Sequence, residues 1–189
     1  MDKYRAIKDK LQDDKVKGLI LDFDHTIIHM DVDWQALKTE LVETFSLVTK
    51  PQDGLLAILK EVKERGGEAL QRTYRIIESF EMANPEGAKV IGETVEIAKS
   101  VKRRGLKLGI FSGNNIASIK YLLETTGVGA NLFDPIFGRD NVKTWKPSPE
   151  GIIETLEMWG LKKNEIVYVG DSDLDKEAGE QAGVETFVI

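Results

Sequence analysis

The feature that most constrains the fold is the apolar run Gly18–Leu21, which leads directly into Asp22, Asp24 and Thr26. A short run without polar alternation is typical of a strand buried on both faces, as in a parallel sheet. Because side chains alternate along a strand, the three polar residues are expected on one side of it. Two nearby carboxylates repel by about 4 kcal/mol at ~4 Å and an effective dielectric near 20, so the pair needs a cation or a shared proton.

The remainder of the chain alternates strand and helix patterns, which predicts an α/β fold with a doubly wound parallel sheet, a Rossmann-like core. Strands are predicted at residues 18–21, 106–111, 166–169 and 186–189, with a weaker strand or loop at 133–138. Helices are predicted at 116–125, from the Lys-Pro segment at 146 to 159, and up to 182. In such sheets ligands bind at the carboxyl ends of the strands, so the polar residues after Leu21 are expected in a crevice.

An insertion interrupts this alternation after the first strand. Apolar residues recur at helical spacing over residues 34–47, 54–63 and 68–82, and a further helix is predicted from Pro85 to about Arg103. The sequence therefore predicts a catalytic core at residues 1–30 and 85–189. A small α-helical cap domain is predicted at residues 31–84.

Composition narrows the class of protein. The 189 residues carry a formal net charge of -6, which disfavours a basic face for nucleic acid. The absence of cysteine excludes disulfides and thiolate metal sites and fits a reducing compartment. No apolar stretch approaches the ~20 residues that span a bilayer, and the first residues are too charged for a secretory signal. We expect a soluble cytoplasmic protein without nucleic-acid or membrane partners.

Polar residues also follow the later strands. Ser112 and Asn114 come after the strand at 106–111, Asp171 and Asp175 come after the strand at 166–169, and Lys146 lies between them. The ends of parallel strands share one edge of a sheet, so these groups are expected to meet Asp22 and Asp24. An all-oxygen ligand set suits Mg²⁺ that shares its coordination sphere with a phosphate. A hydroxyl and a lysine would bind the other phosphate oxygens.

Four segments in this order resemble the motifs of haloacid dehalogenase-like phosphatases: residues 22–26, Ser112, Lys146 and residues 170–175. The insertion lies where members of the phosphoglycolate phosphatase type carry a helical cap. The resemblance implies a Mg²⁺-dependent phosphomonoesterase that hydrolyses a small phosphorylated metabolite through an aspartyl-phosphate.

The resemblance also implies a role for each residue. Asp22 would be the nucleophile and Asp24 the general acid and base, with Lys146 completing the catalytic group. Mg²⁺ would be held by Asp22, by the backbone carbonyl of Asp24 and by Asp171, with Asp175 a further ligand or a partner of the ligands. The residues that would bind phosphate are Thr26, Ser112, Gly113, Asn114 and Lys146. Of these, Thr26 would mainly orient its loop.

Three positions and two other functions stay open. His25 stands where the family commonly has glycine, and the cap residues Arg72 and Arg75 are either substrate contacts or solvated side chains. One alternative function is a phosphomutase of the β-phosphoglucomutase type, which shares the motifs and the cap position. Another is a non-catalytic regulatory domain that holds an aspartyl-phosphate, although there the acceptor is expected on a middle strand and no insertion is expected.

Overall fold

The computed structural model describes residues 3–189, and the chain divides into two compact units. One unit combines the chain up to Met30 with Ala88–Ile189, and the other is Asp31–Gly87. The strands, in chain order, are β1 (Gly18–Leu21), β2 (Ile28–His29), β3 (Lys89–Val90), β4 (Lys107–Phe111), β5 (Ile136–Phe137), β6 (Ile166–Gly170) and β7 (Glu185–Val188). The α-helices are α1 (Lys3–Leu11), α2 (Trp34–Phe45), α3 (Leu55–Glu64), α4 (Gly67–Glu81), α5 (Gly92–Arg103), α6 (Ile116–Thr125), α7 (Glu150–Trp159) and α8 (Asp173–Ala182).

The first unit is built on a parallel sheet with the strand order β5-β4-β1-β6-β7. The chain winds outward from β1 through β4 to β5, and then resumes on the other side of β1 with β6 and β7. The direction of winding therefore reverses at β1, and the carboxyl end of a sheet at such a reversal is where ligands bind. The predicted doubly wound α/β fold is confirmed.

The residues of β1 explain its central place. Leu19, Ile20 and Leu21 are all buried, as the apolar run requires of a strand covered on both faces. β1 pairs in parallel with β4, where Ile20 lies opposite Gly109, and with β6, where Ile20 lies opposite Tyr168. These three central strands hold the residues that follow them at one edge of the sheet.

The second unit consists of α2, α3 and α4, and its apolar positions recur at helical spacing as predicted. Its buried side chains include Leu37, Leu41, Ile58, Val62 and Ile77. Within residues 3–189, no helix combines the length and apolar composition that crossing a bilayer requires.

The structure differs from the sequence prediction around the insertion. The helix predicted from Pro85 begins only at Gly92, and β3 precedes it. β3 pairs antiparallel with β2, so Ile28 lies opposite Val90 and His29 opposite Lys89. This pairing between residues about sixty positions apart overrides the local helical pattern, and neither two-residue strand was predicted. Helix α1 was also not predicted, and its buried side chains are Ile7 and Leu11.

Candidate active site

The three central strands each end in a polar residue of the predicted site. Asp22 follows β1, Ser112 follows β4 and Asp171 follows β6. The Asp22 N–H donates to the Val169 carbonyl at 2.8 Å, which continues the ladder one residue past β1. Asp22 and Ser112 are buried, at 6% and 2% exposure. The fold therefore brings side chains from three separate parts of the sequence to one edge of the sheet.

Lys146 is the positive centre of this edge. Its Nζ donates to Asp22 Oδ1 at 2.6 Å and to Asp175 Oδ1 at 2.5 Å. The ammonium also lies 4.9 Å from the centre of the Phe111 ring and 5.4 Å from that of Tyr168, which is cation–π distance. A buried ammonium is tolerated here because two carboxylates and two rings replace its water.

Asp175 is held by donors on both carboxylate oxygens. Besides Lys146, the Tyr168 hydroxyl donates to Oδ1 at 2.5 Å, and the Ser172 hydroxyl and N–H donate to Oδ2 at 2.5 and 3.1 Å. Ser172 and Asp175 form the capping box that begins α8. Tyr168 was missed by the sequence analysis, although a hydroxyl inside an otherwise apolar strand signals that a buried partner is needed.

Burial and neighbouring charges shift the pKa values of these groups. Burial, together with Asp175 and Asp171, raises the pKa of Asp22 to about 7 despite Lys146. Burial also raises the pKa of Asp175, but Lys146, Ser172 and Tyr168 outweigh it and leave that pKa below its ordinary value. The pKa of Lys146 is lowered by burial and raised more strongly by its two carboxylates, so the ammonium stays charged.

Three of the predicted metal ligands converge. Asp22, Asp171 and Asp175 each offer a carboxylate oxygen, and these oxygens lie within 4.8 Å of one another. Mg²⁺ binds oxygens at about 2.0–2.1 Å, so the ligand oxygens of an octahedral site lie about 2.9 Å apart when adjacent and about 4.2 Å apart when opposite, both within this limit. Three carboxylates against one ammonium leave an excess of negative charge, and burial and Asp175 raise the pKa of Asp171 accordingly. The residues fit a hard divalent cation.

Asp24 lies in the loop after Asp22, and its carboxylate is outside that group of three. Its Oδ1 accepts the His25 N–H at 3.1 Å and the Met30 N–H at 2.9 Å, which fixes the side chain. Burial raises the pKa of Asp24 in spite of these donors. A carboxyl with a raised pKa is suited to donating a proton.

The predicted phosphate-binding residues after β4 form a small network. The Ser112 hydroxyl donates to Asn114 Oδ1 at 2.8 Å, and the Asn114 amide donates to the Met30 sulfur at 3.4 Å. Gly113 between them is exposed. Thr26 is fully buried, and within the described chain its hydroxyl has no hydrogen-bond partner, so its position is that of a loop residue and not of an exposed phosphate contact.

Arg139 and Asp140, which follow β5, hold this network in place through hydrogen bonds. They were not predicted as part of the site. The Arg139 N–H donates to the Asn114 carbonyl at 2.8 Å, and its Nη1 donates to Asn115 Oδ1 at 3.2 Å. Asp140 Oδ1 accepts the Ile116 N–H at 2.9 Å and thereby caps α6. Asn115, at the N-cap position itself, makes no side-chain capping bond. A cap supplied from a distant segment has no local sequence signal.

The two arginines that were predicted in a cap, Arg72 and Arg75, lie on α4 of the second unit. The Arg72 guanidinium lies 5.5 Å from the centre of the Phe45 ring, a contact within the unit. Arg75 is exposed on the same helix. Both arginines are therefore exposed, and Arg72 in addition contacts an aromatic ring of its own unit.

Comparisons with curated proteins identify relatives that are described as phosphatases. The chain is 35% identical over 135 residues to a phosphoglycolate phosphatase of Aquifex aeolicus, which covers 70% of this chain and 62% of the relative. It is 37% identical over 95 residues to a pyrophosphatase of Bacillus velezensis, which covers 50% of this chain and 44% of that protein. The chain thus spans less than two thirds of the length of either relative.

Comparisons of fold and family agree with one another. A haloacid dehalogenase-like hydrolase from Bacteroides fragilis superposes with a TM-score of 0.70 at 20% identity, covering 90% of this chain and 86% of that one. At this identity the likeness concerns the fold alone. The family model described as haloacid dehalogenase-like hydrolase matches residues 19–189, from β1 to the last residue. The chain therefore belongs to the haloacid dehalogenase-like hydrolase family.

Proposed function

We propose that this protein is a Mg²⁺-dependent phosphomonoesterase that hydrolyses a small phosphorylated metabolite through an aspartyl-phosphate on Asp22. The observation that carries the proposal is the buried Asp22 carboxylate, bound to Lys146 at 2.6 Å beside Asp171 and Asp175. A carboxylate attacks phosphorus in line without needing a thiol or a serine hydroxyl. Water then hydrolyses the acyl-phosphate and releases inorganic phosphate.

Asp24 is the general acid and base of this proposal. Its raised pKa favours the protonated form that a leaving alkoxide requires, and the resulting carboxylate would then take a proton from the attacking water. Its hydrogen bonds from His25 and Met30 hold the carboxyl in one place through both steps. Lys146 and Ser112 stabilise the charge on the transferring phosphoryl oxygens.

The site would hold Mg²⁺ through Asp22, Asp171 and the backbone carbonyl of Asp24. When bound, Mg²⁺ neutralises charge on the phosphoryl oxygens. Both oxygens of Asp175 already accept hydrogen bonds from Lys146, Tyr168 and Ser172. We therefore assign Asp175 mainly to positioning Lys146, with metal ligation as its secondary role.

The substrate class follows from the relatives. The relatives described as a phosphoglycolate phosphatase and a pyrophosphatase make phosphoglycolate and pyrophosphate the first compounds to test, with nucleoside monophosphates next. A phosphomutase remains the alternative enzyme, since the same residues would form the same aspartyl-phosphate. A regulatory aspartyl-phosphate domain is disfavoured because Asp22 follows the first strand of the chain and an insertion follows it.

The test is phosphate release from these compounds and from p-nitrophenyl phosphate, with Mg²⁺ or with EDTA, for the wild type and Asp22→Asn. We expect Mg²⁺-dependent release that the substitution abolishes, while circular dichroism shows an unchanged fold. Turnover by Asp22→Asn at the wild-type rate would refute the nucleophile. Interconversion of sugar phosphate isomers without phosphate release would instead identify a mutase.

The acid role of Asp24 has its own test in leaving-group dependence. Asp24→Asn should lose more turnover on an alkyl phosphate than on p-nitrophenyl phosphate, because p-nitrophenolate departs with little protonation. Equal losses on both compounds would contradict the role.

A further inference from the structure

The only two histidines among the 189 residues contact each other. The Nδ1 atoms of His25 and His29 lie 3.0 Å apart, with ring centres 4.4 Å apart and planes at 77°. Both residues are exposed, so ions in solvent reach the rings. Two Nδ1–H groups cannot face each other at this distance, so at least one of the two nitrogens presents a lone pair.

The backbone holds the rings in this arrangement. His25 has φ of 55°, in the left-handed region that non-glycine residues rarely adopt. Its N–H donates to the Ile28 carbonyl at 2.8 Å, and a backbone bridge joins Asp24 to Ile28. His29 belongs to β2 and is paired with Lys89. Glycine would adopt this positive φ without strain, yet the chain has a histidine there. Such a strained residue favours a role for its imidazole.

We propose that His25 and His29 bind a transition-metal ion such as Cu²⁺, Ni²⁺ or Zn²⁺ through their Nδ1 atoms. Metal–imidazole bonds are about 2.0–2.1 Å long, so two neighbouring ligands at 90–109° have nitrogens about 2.8–3.4 Å apart. The observed 3.0 Å lies in this interval. Ligation requires the two exposed rings to rotate until both Nδ1 lone pairs point at one ion, and water would complete the coordination.

Binding requires no net loss of a proton from neutral rings. The ring that donates through Nδ1–H moves its proton to Nε2, in exchange with solvent, and both Nδ1 atoms then carry lone pairs. His25 Nε2 lies 3.8 Å from Asp24 Oδ2. A carboxyl oxygen near the second nitrogen of a ligating histidine accepts its N–H and thereby favours this tautomer.

The proposed ligands of this site are not members of the carboxylate group, although His25 lies beside Asp24 of the proposed active site. Imidazole nitrogens prefer Cu²⁺, Ni²⁺ and Zn²⁺, whereas the oxygens of Asp22, Asp171 and Asp175 prefer Mg²⁺. The two sites therefore differ in the softness of their ligands, and excess Mg²⁺ in the test competes for the carboxylates but not for the imidazoles.

The test is a titration of the untagged protein with CuCl₂ in excess Mg²⁺, followed by electron paramagnetic resonance. We expect one ion per chain, with hyperfine splitting from two imidazole nitrogens. His25→Asn and His29→Gln should each weaken binding by about tenfold or more and remove one nitrogen from the spectrum. Asn tolerates positive φ, and circular dichroism checks that both variants fold.

The matched control is Asp171→Asn, which alters the carboxylate group and keeps both histidines. It should bind Cu²⁺ as the wild type does. Binding that is unchanged in both histidine variants, binding that Asp171→Asn alone removes, or a spectrum without nitrogen splitting would overturn the proposal.

Discussion

At the scale of single residues, Asp22 and Asp175 accept hydrogen bonds from the same ammonium, yet their pKa values move in opposite directions. The reason lies in the other donors. Asp175 has the hydroxyls of Tyr168 and Ser172 and the Ser172 N–H in addition to Lys146. For Asp22 the cost of burial exceeds the attraction of Lys146, so the metal-free protein binds a proton there.

Asp22→Asn is expected to stabilise the metal-free protein increasingly as pH rises. The native pKa of about 7 lies above the ordinary 3.8, so the folded state binds the proton more tightly and wild-type stability falls as pH rises through that window. Asn does not titrate. The difference in unfolding free energy between variant and wild type should therefore grow by roughly 3 kcal/mol from pH 5 to pH 8.

Urea unfolding in EDTA at several pH values measures this difference. A gap that is constant or shrinks as pH rises would contradict the assignment of the raised pKa to Asp22.

Tyr168→Phe should lower the free energy of unfolding by about 2 kcal/mol, because it removes a buried hydrogen bond to a charged carboxylate. The hydroxyl of this fully buried side chain donates to Asp175. Tyr121→Phe is the matched control, since Tyr121 is 37% exposed on α6 and should tolerate the change. Equal urea midpoints for the two variants would show that the Tyr168 hydroxyl does not contribute to the free energy of unfolding.

At the scale of elements, the loop after β4 is positioned by the segment after β5. Arg139 and Asp140 bind the backbone of residues 114 and 116 and the side chain of residue 115. The Trp145 indole N–H donates to the Arg139 carbonyl at 3.2 Å. Trp145 immediately precedes Lys146. One segment therefore connects the Ser112 loop with the lysine, although the two lie more than thirty residues apart in sequence.

Asp140→Ala should cost about 1 kcal/mol of stability, since it removes the cap of α6. It should also weaken competitive inhibition by inorganic phosphate, because the loop that carries Ser112 and Asn114 begins that helix. Asp140→Asn is the matched control and should keep most of both properties, as its amide oxygen still accepts the Ile116 N–H. Wild-type phosphate affinity in the alanine variant would show that the Asp140 contact does not influence phosphate binding.

At the scale of the whole molecule, the second unit is inserted between two paired strands. β2 and β3 are antiparallel with His29 opposite Lys89, so Met30 and Ala88 are the next neighbours in register. A two-residue Asn-Gly turn joins such positions in a hairpin. The second unit can therefore be deleted between Met30 and Ala88. The deletion keeps Met30, whose N–H donates to Asp24.

Replacing Asp31–Gly87 by Asn-Gly should leave a chain that unfolds cooperatively, because the sheet and its buried strands belong to the remaining unit. Turnover of p-nitrophenyl phosphate with Mg²⁺ should persist, while the ranking of the natural phosphate esters changes. Urea unfolding and the substrate panel measure the two effects. An unchanged ranking would contradict a role of the second unit in substrate selectivity.

The sequence was sufficient for much of the fold and the chemistry. The apolar runs of β1, β4 and β6 predicted buried parallel strands because such runs are stable only when covered on both faces. The polar residues after them predicted a shared edge, since parallel strands end together. Asp22, Lys146, Asp171 and Asp175 lie together as this reasoning requires. Family membership agrees with the motifs, while the cytoplasmic location stays a prediction.

What the tertiary structure alone decided are contacts between distant segments. The β2–β3 pair, the Tyr168 hydroxyl on Asp175, the Asp140 cap on α6 and the contact of His25 with His29 have no reliable local pattern. Local periodicity reports which face of an element is buried, because burial of apolar surface acts on every residue of that face. Hydrogen bonds and ligand pairs depend instead on the positions of a few atoms, and those positions are determined only when the chain has packed.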